Sequence, residues 1–315
     1  MKILLLFEPE GYWKEKLNAL KLEFPEVEFT VNSKPAERIA ELKTADAVIC
    51  GRLSADELAE SMLLKAVIVP FTGLNNFPVE ELKQRNITIY NTHANAPYVA
   101  EHAIALALAL LGRVNESHHD LKQGIWNRTK EDQDMWVTLR NKRCGIMGYG
   151  NIGKCIAGYL KPFDCKVTGF RRNFTPLSDE NGVELTSDLD FLFQNSDVIF
   201  NVLPLTPETK HIINNENIAK LQGKYIISVG RGETILEEAL YNALKDNIVA
   251  GAALDVWYKY PGKETKPVMP ANFPFWELPN VVMSPHKSSH TSEAVKAMID
   301  DTCNNISKFI KSKRV

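Results

Sequence analysis

Residues 142–153 read Lys-Arg-Cys-Gly-Ile-Met-Gly-Tyr-Gly-Asn-Ile-Gly, and this stretch decides how the rest of the chain is interpreted. An apolar run of strand character leads into glycines at 148, 150 and 153, and a segment of helical character follows at 154–160. This is the G-x-G-x-x-G pattern in the strand–turn–helix setting that it requires. The pattern predicts a loop that binds the pyrophosphate of a dinucleotide.

Each glycine of this loop has a physical role in that interpretation. Gly148 permits the tight turn, Gly150 lacks a Cβ so that a pyrophosphate can approach the backbone, and Gly153 lets the helix pack closely on the strand. The helix that follows offers free N–H groups and the positive end of its dipole. We therefore expect cofactor contacts from these glycines and from Asn151 and Ile152 between them.

Length and composition narrow the class of protein. The chain has 315 residues, 44% hydrophobic and 24% charged, with a formal net charge of −2. The length predicts two domains, and neither the charge nor any basic run favours nucleic acid. The five cysteines form no C-x-x-C pair and no Cys/His zinc spacing, so we expect no metal site. Buried, reduced thiols are expected at Cys50, Cys144 and Cys165, which predicts a cytoplasmic protein.

The apolar run at residues 2–7 is too short for a signal peptide, and the run at residues 103–111 is too short for a membrane span, which needs about 20 residues.

Strand-like and helical segments alternate through residues 1–92 and again from Cys144 onward, which predicts an α/β fold with parallel sheets. Between them, a long helix is predicted from about Val99 to Trp126. Its first part is apolar on nearly all sides, so we expect that part to be buried between other elements. The run from Ser54 to Glu57 is a capping box.

Polar residues that follow strands are the candidate site residues, because open parallel sheets bind ligands beyond the carboxyl ends of their strands. Arg231 could pair with a substrate carboxylate and polarise a carbonyl, with a surface arginine as the alternative. The glycines on either side of it would let a ligand approach. His286 suits a general acid or base, with a structural histidine as the alternative, and His290 is a weaker candidate. Asp255 either binds a ligand amide or caps a turn.

Arg171 and Arg172 follow the second strand of the later series, about 20 residues after the fingerprint. An acidic residue at that place would hold the adenosine ribose of NAD, and neither Asp nor Glu is there. Two arginines favour a 2′-phosphate, so NADP(H) is the preferred cofactor and NAD(H) the alternative. A solvated basic turn that tolerates either cofactor remains open.

These segments, in this order, resemble the D-isomer-specific 2-hydroxyacid dehydrogenases, which include glycerate, glyoxylate/hydroxypyruvate, phosphoglycerate, formate and phosphite dehydrogenases. The resemblance covers nearly the whole chain and includes the cofactor loop, the inter-domain helix and the catalytic segments. The matching motifs are Val99–Ala105, Gly148–Gly153, Leu203–Thr209, Val229–Gly232, Leu254–Val256 and Ser284–His286.

The resemblance implies two Rossmann-like domains and a homodimer formed through the region of the long helix. The substrate domain would be discontinuous, with residues 1–97 and 287–315, and the dinucleotide-binding domain would be 98–286. Arg231 and His286 would be catalytic. Substrate contacts are implied at Arg52, Thr72, Gly73, Leu74 and Asn75. Further cofactor contacts are implied at Leu203, Pro204, Val229, Gly230, Asp255 and Ser288.

One position departs from the family pattern. The family has a glutamate that hydrogen-bonds the catalytic histidine and stabilises its protonated form, and Tyr260 occupies that position here. A phenol with an ordinary pKa near 10 stays neutral, so His286 should be a stronger acid than in relatives with the glutamate. Glu264 and Glu277 in the same irregular loop are possible substitutes. The formate dehydrogenase branch also lacks this glutamate.

Two functions are compatible with these residues. The first is an oxidoreductase that transfers a hydride between a nicotinamide cofactor and C2 of a small 2-oxo or D-2-hydroxy acid, with closure of the two domains excluding water. The second is a cofactor-sensing binding protein on a dehydrogenase frame, of the kind found among the family's transcriptional corepressors. Tyr260 favours the second, whereas Arg231 and His286 favour the first.

Overall fold

The structure, a computed structural model, describes residues 1–32, 34, 37–126, 135–173, 182–262 and 267–313. The chain forms two compact units. Unit 1 consists of Met1–Asn95 and Ser289–Val315, and unit 2 of Ala96–Ser288.

Unit 1 is built on five parallel strands in the order β2-β1-β3-β4-β5. The strands are β1 (Lys2–Leu5), β2 (Glu28–Val31), β3 (Ala47–Ile49), β4 (Ala66–Val69) and β5 (Thr88–Asn91). The helices between them are α1 (Tyr12–Glu23), α2 (Arg38–Leu42), α3 (Ala55–Glu60) and α4 (Val79–Gln84).

Apolar side chains on both faces of the strands explain why helices cover both faces of the sheet in unit 1. In β1, Ile3 and Leu5 join the apolar cluster that α1 completes, whereas Leu4 joins the cluster under α2, α3 and α4. Successive side chains of a strand point to opposite faces, so a continuous apolar run needs helices on both sides. The predicted capping box at the start of α3 is present: Ser54 Oγ accepts from Glu57 N at 3.1 Å, and Glu57 Oε2 accepts from Ser54 N at 2.8 Å.

Unit 2 contains seven parallel strands in the order β12-β11-β10-β9-β6-β7-β8. The strands are β6 (Arg143–Met147), β7 (Lys166–Phe170), β8 (Glu184–Thr186), β9 (Val198–Asn201), β10 (Tyr225–Ser228), β11 (Gly251–Leu254) and β12 (Val281–Met283). The helices are α5 (Ala96–Leu111), α6 (Val114–Lys122), α7 (Asn151–Leu160), α8 (Leu189–Gln194) and α9 (Glu237–Lys245). The predicted α/β fold with two parallel sheets is confirmed.

In the sheet of unit 2, β6 and β9 are hydrogen-bonded neighbours. Strands that follow β6 in the chain lie on one side of this pair, and strands that follow β9 lie on the other side. The chain proceeds from β6 to β7 and β8 on one side, then returns to β9 on the other. The loops after these two strands diverge and leave a crevice, which is where open α/β sheets bind ligands. The glycine fingerprint directly follows β6, so the fold places it at this crevice.

The single helix predicted from Val99 to Trp126 is wrong, because the chain forms α5 and α6 with a break between them. Gly112 and Arg113 interrupt the helix, and Arg113 adopts a left-handed conformation with φ 51°. A residue in this conformation ends an α-helix. The apolar run therefore stops at α5, and α6 has no buried residue.

The last helix, α10 (Ser292–Ser312), belongs to unit 1, which is therefore discontinuous in sequence. It begins at Thr291, whose Oγ1 accepts from Ala294 N at 3.0 Å, and it packs on α1, β4 and β5. No single helix in the described ranges is long and apolar enough to cross a membrane. The pair α5 and α6 reaches that length and composition only together, with a bend of 56°.

Candidate active site

The fingerprint loop has the geometry that its glycines predict. Gly148 has φ +96°, in the region that favours glycine, and a Cβ there would lie 3.1 Å from the backbone of Val202 and Leu203. A Cβ at Gly153 would lie 2.8 Å from the carbonyl oxygen of Gly148. The loop, the first turn of α7 and the end of β9 therefore pack backbone against backbone.

Gly150 differs from its two neighbours, because an added Cβ would have no protein atom within 4 Å. Nothing in the protein itself requires a glycine there, whereas a group that approaches the backbone from outside would. Gly150 also precedes the first turn of α7, whose N–H groups at Asn151, Ile152 and Gly153 lack partners within the helix. These residues fit the pyrophosphate of a dinucleotide.

Arg171 and Arg172 lie at the carboxyl end of β7, and both are exposed. The backbone N–H of Arg171 donates to Thr186 O at 3.0 Å. The Arg172 guanidinium lies 3.6 Å from Glu208 Oε2, in the loop after β9. A cation thus stands at the place predicted for the adenosine ribose, with a carboxylate already beside it.

Arg231 follows β10 in extended backbone, and its side chain is half-buried. Its peptide is fixed by Thr234, whose Oγ1 donates to Arg231 O at 2.6 Å. The two adjacent glycines serve neighbouring segments of the chain. A Cβ at Gly230 would lie 2.5 Å from Leu203 O, and one at Gly232 would lie 2.4 Å from Trp257 O. We predicted that these glycines make room for a ligand. The structure shows another reason for them, since a side chain at either position would collide with a neighbouring backbone.

A buried amide links the ends of β9 and β10. Asn201 is fully buried, and its Nδ2 donates to Ser228 Oγ at 3.1 Å and to Thr234 Oγ1 at 2.7 Å. Its Oδ1 accepts from Leu203 N at 3.3 Å. Asn201 was not among the predicted site residues, although the rule that polar residues at strand ends are candidates applies to it.

Leu203 and Val229 are buried, and Pro204 is exposed at the same edge of the sheet. Val229 N and Gly230 N both donate to Asn201 O at 3.1 Å. The implied cofactor contacts at 203–204 and 229–230 therefore lie together beside the fingerprint, on neighbouring strand ends.

His286 lies in the turn after β12, in a left-handed conformation with φ 55°. Asp255, which directly follows β11 and is fully buried, holds the residues around His286. Its Oδ1 accepts from Ser284 Oγ at 2.6 Å and from Lys287 N at 3.0 Å, and its Oδ2 accepts from Ser288 N at 3.0 Å. Asp255 therefore anchors the turn that carries the histidine.

Tyr260 lies beside His286, with ring centroids 5.4 Å apart and ring planes inclined by 54°. Its hydroxyl oxygen accepts from Trp257 N at 3.1 Å. Trp257 also donates from its indole Nε1 to Ser284 O at 2.8 Å. This buried tryptophan therefore orients both the tyrosine and the histidine turn, and it was not among the predicted site residues. Glu277 is exposed, and Glu264 lies outside the described residues.

The surroundings of His286 lower the pKa of its imidazole from the ordinary 6.5. Partial burial disfavours the charged ring, and the positive charge of Arg231 acts in the same direction. The Asp255 carboxylate acts in the opposite direction and is outweighed. Partial burial also raises the pKa of Tyr260, so its phenol stays neutral. The guanidinium of Arg231 is therefore near enough for its charge to act on the rings of both Tyr260 and His286.

The implied substrate residues lie in unit 1. Thr72 follows β4, and its Oγ1 is 2.9 Å from both Thr92 O and Asn95 Oδ1, which ties the 72–75 loop to the end of β5. Arg52 is exposed after β3, and its carbonyl oxygen accepts from the Arg38 guanidinium at 2.5 Å. Both segments lie at the carboxyl edge of the sheet. In the described parts of the chain, no three His, Cys, Asp or Glu side chains form a group that could hold a metal.

Comparison with known proteins adds independent findings. The sequence profile of the NAD binding domain of D-isomer specific 2-hydroxyacid dehydrogenases matches residues 104–288. The chain is 35% identical over 250 residues to hydroxypyruvate reductase from Thermotoga maritima, covering 77% of this chain and 76% of that protein. It is 30% identical over 304 residues to D-3-phosphoglycerate dehydrogenase from Methanocaldococcus jannaschii, covering 94% of this chain and 56% of that longer protein.

Among solved structures, NAD-dependent formate dehydrogenase from Staphylococcus aureus in complex with NAD is 26% identical, with a TM-score of 0.74. The structural alignment covers 98% of this chain and 96% of the formate dehydrogenase chain. The matched domain and this complex support a nicotinamide cofactor. Because the relatives are reductases and dehydrogenases, they favour the oxidoreductase interpretation over the cofactor-sensing one. The matched profile and these relatives together show that the chain belongs to the D-isomer specific 2-hydroxyacid dehydrogenase family.

Proposed function

We propose that this protein interconverts a small 2-oxo acid and the corresponding D-2-hydroxy acid with a nicotinamide cofactor. The observation that carries the proposal is the grouping of Arg231, Tyr260 and His286. These residues follow β10, β11 and β12, which are adjacent in the sheet, and the charge of Arg231 acts on both rings. A cation can stabilise the negative charge that develops in carbonyl reduction, and a titratable imidazole can supply the proton.

In the proposed mechanism, the bound cofactor supplies the hydride for C2. Arg231 pairs with the substrate carboxylate and stabilises negative charge that develops on the carbonyl oxygen. His286 gives the proton to that oxygen in reduction and takes it back in oxidation. Asp255 and Trp257 hold the turn and the loop that present the imidazole.

The residues that the sequence pattern and the family resemblance indicate are proposed to bind the substrate and the cofactor. Substrate contacts are proposed for Arg52 and for the loop Thr72–Asn75. Cofactor contacts are proposed for the fingerprint loop with Asn151 and Ile152, for Arg171 and Arg172, and for Leu203, Pro204, Val229, Gly230, Asp255 and Ser288. The dinucleotide-binding role is assigned to unit 2 and the substrate-binding role to unit 1.

The substrate class is tested by a screen of purified protein that follows the absorbance of the reduced nicotinamide. The panel contains glyoxylate, hydroxypyruvate, pyruvate and a bulkier 2-oxo acid, each with NADPH and with NADH. We expect turnover with at least one small 2-oxo acid, because hydroxypyruvate reductase is among the relatives. Tight cofactor binding without turnover of any 2-oxo or D-2-hydroxy acid would contradict the proposal.

The preferred cofactor is proposed to be NADP(H), because two exposed arginines stand at the end of β7. We expect an Arg171→Ala, Arg172→Ala double variant to raise KM for NADPH by about tenfold or more, the loss expected for a hydrogen bond to a charged group. KM for NADH should stay nearly constant. Lys166→Ala, at the opposite end of the same strand, is the matched control. A native preference for NADH above about tenfold would overturn this part of the proposal.

The lowered pKa of His286 predicts the pH dependence. Reduction needs the protonated ring, so kcat/KM for reduction is highest at low pH and falls as pH rises through the pKa. Because that pKa lies below 6.5, the fall should begin in the acid range. Tyr260→Glu would place a carboxylate beside the ring, favour its charged form and move the fall upward by about one pH unit.

The Tyr260→Phe variant is the control for this pH profile, because it removes the hydroxyl without adding a charge. Its fall should stay at the native pH. If kcat/KM for reduction falls at the same pH in the native protein and in both variants, Tyr260 does not occupy the position of the family's glutamate.

A homodimer is also proposed. Several large apolar side chains on and after α6 are exposed, among them Leu121, Trp126 and Trp136, whose exposed fractions are 52%, 71% and 63%. Large apolar side chains exposed in number are typical of an interaction site. Sedimentation velocity should give twice the mass of one chain, and a single-chain mass at micromolar concentration would contradict a stable dimer.

A further inference from the structure

His286 has a backbone conformation that needs support. A left-handed φ is uncommon for residues other than glycine and persists where the surrounding structure determines it. The support for this turn comes from both sides of the histidine. Ser284 donates from its hydroxyl, and Lys287 and Ser288 donate from their backbone N–H groups, all to the carboxylate of Asp255.

A second histidine completes this arrangement from a distant part of the chain. His102 lies on α5, and its Nε2 is 3.1 Å from Ser284 Oγ and 3.7 Å from Asp255 Oδ1. The side chain of His102 is 31% exposed, whereas that of Asp255 is fully buried. His102 is not among the residues proposed to bind the substrate or the cofactor or to transfer a proton.

The hydrogen-bond directions in this group are fixed by counting hydrogens. A serine hydroxyl has one hydrogen, and Ser284 donates it to Asp255 Oδ1 across 2.6 Å. The Ser284 oxygen is therefore left as an acceptor toward His102. It follows that His102 donates, and that its ring carries a hydrogen on Nε2.

We propose that His102 is a positioning residue for His286. Its Nε2–H group holds the Ser284 hydroxyl in the orientation that donates to Asp255, and Asp255 then holds the 284–288 turn that presents the catalytic imidazole. A general acid must lie within hydrogen-bond reach of the atom that it protonates, so a looser turn lowers turnover. This inference rests on the proposed function, because the position of His286 matters for turnover only if it transfers a proton.

The test compares two substitutions of His102. His102→Leu removes the donor, and we expect kcat to fall by about tenfold or more, because small displacements of reacting groups are costly. His102→Gln keeps an N–H at the position of Nε2 and should restore most of the native kcat. The kcat of each variant is measured at saturating cofactor, so that a weaker contact from Ser288, which lies in the same turn, does not contribute to the loss. Ile104→Val, a mild change in packing on the same helix, is the matched control and should behave like native protein.

Equal losses in the leucine and glutamine variants, or no loss in either, would overturn the inference, because the donor would then be irrelevant. Ring 15N NMR of native protein gives a second reading that needs neither folding of the leucine variant nor turnover. His102→Gln identifies the His102 signals by their disappearance. A hydrogen on Nε2 supports the inference, and an unprotonated Nε2 overturns it. Absence of turnover in native protein with a protonated Nε2 would count against the proposed function alone.

Discussion

We expect the Arg231→Gln variant to lower kcat/KM for reduction of a 2-oxo acid by about 10³-fold, the upper range for loss of one preorganised donor to developing charge. The guanidinium is expected to act twice, on the substrate carboxylate and on the carbonyl oxygen. Glutamine removes the charge but leaves the backbone that Thr234 holds. The folded state should therefore persist, and the cofactor should still bind with native affinity.

Arg231→Lys separates charge from geometry. A lysine keeps one positive charge but cannot form a bidentate pair, so we expect an intermediate loss. Arg140→Gln is the control, because Arg140 is an exposed arginine paired with Asp164 at 2.6 Å, and surface ion pairs contribute little. An Arg231→Gln variant with native kcat/KM would show that the carboxylate is bound elsewhere.

The second large effect is expected at His286. Alanine at this position should lower kcat by about 10²-fold or more, the usual contribution of a general acid or base. The fall of the reduction rate with pH should disappear together with the group that titrates. Steady-state rates across the acid and neutral range measure both effects in one variant.

His290→Ala is the matched control for that experiment, because His290 is an exposed histidine four residues further along the chain. It should keep kcat within about twofold, as expected for a surface substitution. A His286→Ala variant that retains native kcat and the native pH profile would remove His286 from the mechanism. The proton would then have to come from another group or from water.

Much of the fold could be predicted because parallel α/β structure has a strong sequence pattern. Alternating apolar strands and helices indicated both sheets, and the capping box from Ser54 to Glu57 marked a helix start. The break at Gly112 was missed because the apolar pattern continues up to it and polar helical residues follow. The short edge strand β8 was also missed, since Glu184–Thr186 contains only one apolar residue and therefore has a weak strand signal.

The site was predictable where its residues form contiguous motifs. The fingerprint loop, Arg231 and His286 each follow a strand, and the rule about strand ends selects them. The supporting network could not be found in this way, because His102, Asp255 and Ser284 come from three separate elements. Their association depends on how α5 packs on the sheet of unit 2, and no local spacing encodes that packing.

A crystal structure with NADP⁺ and oxamate, an unreactive analogue of a small 2-oxo acid, tests the central claim most directly. We predict that the Arg231 guanidinium and the His286 imidazole both lie about 3 Å from polar atoms of the oxamate, the reach of a hydrogen bond. The oxamate should lie against the nicotinamide ring. A complex in which either side chain points away from the oxamate would contradict the mechanism, whatever the affinity for the cofactor.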